Sequence, residues 1–146
     1  MSQIDVGEVR RRLRASLDTA RRQAQERRGR TDAAAKEYET FLEQHAVPVF
    51  HSMAAALTGE GHPFKVMTPA GSVRLSPERS PDEFIELTLD PSLDPPEVSA
   101  HIVRGRGRRM IETEQPLRDR TPIGNLTSEH VLEFLLREVV PFVQRS

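Results

Sequence analysis

The sequence contains no cysteine and no tryptophan. The first absence removes a disulfide framework and all thiolate chemistry, catalytic or metal-binding. Aromatic side chains are scarce, six Phe and one Tyr, and none lies in a basic cluster, so stacking on single-stranded bases has no support. No apolar run approaches the roughly 18–20 residues of a membrane span. The start Met-Ser-Gln-Ile-Asp-Val-Gly-Glu-Val-Arg lacks the apolar core of a secretory signal. No membrane partner is therefore expected, and cytoplasmic is the default location. Lysine is nearly missing as well: Lys36 and Lys65 stand against 19 arginines. That ratio reads as codon bias in a GC-rich bacterial genome rather than selection for phosphate binding.

Catalytic and metal signatures are absent too. His45, His51, His62, His101 and His130 show no His-x-x-x-His spacing and no ligand pattern with carboxylates, so no metal site is expected. Pro81-Asp82 followed by Glu86-Leu87-Thr88 lacks the lysine that a metal-dependent nuclease pattern needs. No Gly-x-Ser-x-Gly elbow is present. Gly105-Arg106-Gly107 joins two strands instead of a strand and a helix, which removes the dinucleotide-binding reading. No catalytic residue and no cofactor is assigned.

Proline is missing before Pro48, and glycine there is limited to Gly7 and Gly29. The stretch from about Asp5 to Thr58 is rich in Ala, Arg, Glu, Gln and Leu and reads as helix. Val6, Leu13, Leu17, Ala20, Ala24, Ala34, Tyr38 and Phe41 recur at a spacing near 3.5, the narrow seam used between helices. An unbroken helix over this run is roughly 75–80 Å long, while the remaining ~90 residues have a radius of gyration of about 12 Å. The rod must project and pair with another chain, or fold back. Arg27-Arg28-Gly29-Arg30-Thr31-Asp32 offers a fold-back point, with cations, a C-cap glycine and an N-cap threonine in order. Both a continuous helix, straight or bent, and a hairpin at Gly29 fit. A kink or break is also expected near His45–Val47, ahead of Pro48.

Beyond Thr31, Tyr38, Phe41, Leu42, Val49, Phe50, Met53 and Leu57 make a wide core-facing stripe. Alternation at Phe64/Val66 and Val73/Leu75 predicts a hairpin around Thr68-Pro69-Ala70-Gly71, read as a type I turn with a glycine bulge. Ile85, Leu87 and Leu89 mark a third strand. Val98, Ala100 and Ile102 run toward a turn at Arg104–Arg108, and Met110–Glu114 return. Thr127 caps a last helix to about Val143, with Leu135, Leu136 and Val139 placed in the core and Glu133 paired to Arg137 outside. The expected fold is α+β: a long N-terminal helix, an antiparallel sheet of four to five strands, and a C-terminal helix on the same sheet face. Residues 1–30 form a basic helical arm and 31–146 a globular domain.

Net charge is −1 but unevenly spread. Residues 1–30 hold nine Arg against four acids, and residues 31–100 hold four basic residues against twelve acids. This pattern favours a non-enzymatic adaptor or assembly protein, a homodimer self-associating through Val6, Leu13, Leu17, Ala20 and Ala24 and binding a protein partner. The alternative is a nucleic-acid-associated protein using the arginine arm and Arg104, Arg106, Arg108 and Arg109 as an anion contact. A small enzyme of unknown chemistry is a third reading.

Overall fold

A helical rod opens the fold. In the computed structural model, which describes residues 3–144, helix α1 spans Val6–Phe41, a π-helical turn spans Leu42–Ala46, and helix α2 spans Val47–Gly59. The three follow one another without a break. Asp5 caps the start, its carboxylate accepting a hydrogen bond from the Glu8 N–H at 2.8 Å, which satisfies one of the orphan amides of the first turn. Gly29 does not end the helix, and nothing lies within 4 Å of where its Cβ would stand. One exposed glycine lowers helix propensity by only about 1 kcal/mol, so the continuous helix forms and the hairpin at Gly29 does not.

The kink expected near His45–Val47 takes the form of the π turn. Val47 N–H reaches back to the Leu42 carbonyl. In a regular helix the ring of Pro48 presses on the carbonyl of Gln44, and the wider turn relieves that clash. It also resets the helix face. Buried residues are Ala34, Tyr38 and Phe41 before it, Ala46 at its last position, and Phe50, Met53, Ala54 and Leu57 after it. Steps of three or four join them all except Phe41 to Ala46, a step of five that the π turn absorbs. Without it the second group would be rotated about 100° from the first.

Five antiparallel strands follow as a meander in sequence order: β1 Phe64–Met67, β2 Val73–Pro77, β3 Phe84–Asp90, β4 Glu97–Arg106 and β5 Arg109–Pro116. Register aligns Leu75, Ile85 and Ile102 across β2 to β4, and Val73, Leu87 and Ala100 beside them. All six are buried. Helix α3, Ser128–Val143, and α2 cover this face together. Thr127 caps α3, accepting from His130 N–H, while His130 Nδ1 accepts from Thr127 N–H. The opposite face carries a polar cluster. Arg74 bonds Glu86 at 3.0 Å and lies 4.0 Å over the Phe84 ring, whose neighbour on β4 is the edge of His101.

Four local expectations are corrected. The first turn closes from Ser72 N–H to Pro69 O with Gly71 at φ 76°; a positive φ in that third position is type II, not type I. Strand β4 runs on to Arg106, so the second turn is only Gly107-Arg108. Leu136 is 53% exposed rather than in the core: it lies a full 100° past Leu135, in the row of exposed Glu129 and Glu133 that faces away from the sheet. Arg137 pairs with Glu138 at 3.8 Å, not with Glu133.

A bare helix seam as the candidate functional site

Between Val6 and Arg30 only Glu8 is even half-buried. Val6 is 73%, Leu13 54% and Leu17 45% exposed, and Ala20 and Ala24 are exposed with them. Burial starts at half-buried Thr31 and is complete at Ala34. The seam itself does not stop there. Counting in sevens from Val6 gives Leu13, Ala20, Arg27, Ala34 and Phe41; counting from Leu17 gives Ala24, Thr31 and Tyr38. Ala34, Tyr38 and Phe41 lie in the core. The two rows that run bare along the arm are thus the same rows that the sheet domain covers farther on.

The joint between arm and domain is ionic. Arg30 grips Asp94 through two hydrogen bonds of 2.8 and 2.9 Å, and Arg27 adds a contact at 3.7 Å. The hydrogen bond from Arg30 pulls the Asp94 carboxyl below the usual carboxylate range, and Asp94 in turn raises Arg30. Asp94 belongs to the loop between β3 and β4. Between that loop and Ala20, Ala24 and Arg27 lies an open cleft of about 470 Å³. Within the arm, Glu8 pairs with Arg11 and Arg12, and Asp18 with Arg21. The other arm arginines stay in water, which keeps the polar side of the rod solvated.

The four hairpin arginines lie elsewhere. Arg104 is half-buried, while Arg106, Arg108 and Arg109 are exposed. Arg106 sits directly opposite Arg109 in the β4–β5 register. Among the described residues, none of the four has an acid within salt-bridge reach. Glu97 beside the arm and Arg106 at the turn are the two ends of β4, roughly 30 Å apart at strand rise. The seam and the arginine turn are therefore separate surfaces.

Some of the polar residues weighed in the sequence find structural partners. His45 Nδ1 meets Ser128 Oγ at 2.7 Å, and His101 pairs with Glu112. Glu83, 3% exposed, accepts a hydrogen bond from Gly105 N–H at 2.5 Å, at the floor of a cleft of about 330 Å³ shared with His62, Arg79 and Phe142. Among the described residues no cluster of His, Asp or Glu is arranged to hold a metal ion, and no helix is long and apolar enough to cross a membrane. Three apolar residues belong to the bare surface that periodicity alone passes over: Ile4, Val9 and, on the loop after β3, Leu93, at 63%, 52% and 45% exposed. The available signal was their apolar character amid charge. Set against family models, curated proteins and solved structures, the chain matches none.

Proposed function

We propose that this is a non-enzymatic assembly or adaptor protein that pairs with a second copy through its arm and offers its α+β domain to a protein partner. The observation that carries this reading is the change of cover along one seam. From Ala34 onward the rows are buried in the domain, and from Val6 to Ala24 the same rows are bare. A contiguous apolar strip on an otherwise charged surface marks an interface. The seam is narrow and alanine-rich in its middle, so at about 25 cal/mol per Å² the association is of middling strength. A two-fold pair is the simplest closed arrangement.

Absolute mass in solution tests it. The full chain at tens of micromolar is expected to be a dimer, and Leu13→Glu with Leu17→Glu a monomer with unchanged folding of the domain. A wild-type monomer at that concentration would overturn the reading.

A second reading, nucleic-acid association, draws support from Arg106 facing Arg109 with no acid in salt-bridge reach among the described residues. Like charges directly opposite on a sheet are unfavourable, and a phosphate neutralises them. Binding of this kind falls steeply between low and physiological salt. Duplex binding that is absent, or indifferent to salt and to Arg106→Ala with Arg109→Ala, would dispose of it.

A further inference from the structure

The geometry points to an antiparallel pair in which the arm of a second copy lies in the angle between this arm and the β3–β4 loop, with Leu13 and Leu17 of each arm packed on Ala24 and Ala20 of the other. This rests on the self-association proposed above and adds its orientation, register and socket.

Orientation follows from the continuity of the seam. In a parallel pair the two helices would meet along the same rows over their whole length. From Ala34 those rows lie against the chain's own core, so a parallel partner would collide with the domain. The helix has no break before the π turn at Leu42 that would let it step aside. An antiparallel partner instead ends where the domain begins.

Register follows from the free length. Setting Val6 of one copy opposite Thr31 of the other, the two ends of the uncovered seam, brings Leu13 opposite Ala24 and Leu17 opposite Ala20. Each layer then joins a large side chain to a small one, which lets the backbones approach and fills the space between them. Arg10 falls opposite Arg27, whose charge is already offset by Asp94 at 3.7 Å.

The socket is the cleft of about 470 Å³ beside Ala20, Ala24 and Asp94. Counting in sevens back from Arg30, the flank nearest the loop carries Gln23, Ser16 and Val9. In an antiparallel pair this flank of one helix adjoins the same flank of the other. Val9 of the second copy thereby comes to the loop that exposes Leu93, giving two otherwise bare apolar residues a partner. On the opposite flank the Arg14, Arg21 and Arg28 rows of the two arms adjoin, so the pair tightens as salt screens them.

The absence of native cysteine allows a direct test on the full chain at high salt. Leu13→Cys is mixed with Ala24→Cys, and separately Val6→Cys with Thr31→Cys, which keeps both leucines. Each mixture, and each variant alone, is then oxidised, and wild-type mass is measured in parallel. Covalent dimers in both mixtures and in none of the single variants are the expected result. Efficient cross-linking of Leu13→Cys with itself, or a wild-type dimer with no cross-link in either mixture, would overturn the antiparallel register while leaving self-association standing. A monomeric wild type would remove both.

Discussion

Tyr38 is the chain's only tyrosine and is 5% exposed. Its hydroxyl donates to the Gly71 carbonyl at 2.7 Å, with the Leu87 carbonyl at 3.4 Å, tying α1 to the first turn and to β3. Burial foremost, and the Glu86 carboxylate second, push its phenol well above the ordinary value. The folded state therefore keeps this proton longer than the unfolded chain does. The resulting stability is whole below the ordinary phenol value of about 10 and is lost as pH rises beyond it. With no tryptophan present, tyrosinate absorbance reports this one side chain, and it should appear only together with unfolding. Ionisation in the folded protein near the ordinary value would contradict the burial. Tyr38→Phe should cost about 0.5–1.5 kcal/mol at neutral pH through the lost hydrogen bond, and the deficit should shrink in alkali. Two neighbours in α3 give a second contrast. Leu135 is fully buried and Leu136 is 53% exposed, so Leu135→Ala should cost about 2–5 kcal/mol and Leu136→Ala no more than about 0.5 kcal/mol in denaturant unfolding.

At the scale of elements, the π turn is the device that keeps one rod on one core. Tyr38 and Phe41 before it and Phe50 and Met53 after it share a face only because the step from Phe41 to Ala46 is five residues. Inserting one alanine after Gln44, which is exposed, would lengthen that step to six and swing one group about 100° away from the sheet. Losing the burial of Tyr38 and Phe41 should cost at least about 3 kcal/mol. Inserting one alanine after Arg22, within the bare arm, should leave monomer stability unchanged in the same urea titration. The strands were legible because Phe64/Val66, Val73/Leu75 and Ile85/Leu87 alternate without ambiguity, and α3 because Thr127 precedes an apolar run. The π turn was hidden because Leu42 and Val49 are also apolar, so an unbroken stripe can be drawn through the step of five. Leu136 was misplaced because its apolar character was weighed above its place on the helix: it stands seven residues after Glu129 and three after Glu133, on the charged side. The candidate seam was legible as a seam, but its cover was not. Leu17 and Tyr38 occupy the same heptad row, and only the position of the sheet makes one bare and the other buried. The Gly105 N–H that meets Glu83 depends on a contact between distant segments, which no local pattern encodes.

For the whole molecule, the arm and the domain contribute to stability through different terms. Residues 6–30 bury almost nothing in their own chain, and their ties to it among the described contacts are the ion pairs of Arg27 and Arg30 with Asp94. Exposed pairs of this kind are worth little. The core from Ala34 to Phe142, by contrast, is one continuous cluster. A chain starting at Thr31 should therefore fold, with a melting temperature within a few degrees of the full chain measured dilute. The two should diverge as concentration rises. Association that favours the native state adds a stabilisation that grows with the logarithm of concentration, so the full chain's melting temperature should climb from low to high micromolar while that of the shortened chain stays flat. Leu13→Glu with Leu17→Glu in the full chain should flatten the curve in the same way, separating the effect of the seam from that of chain length. If the full chain's melting temperature is independent of concentration, the arm is not a self-association element. Its bare seam would then belong to a different protein.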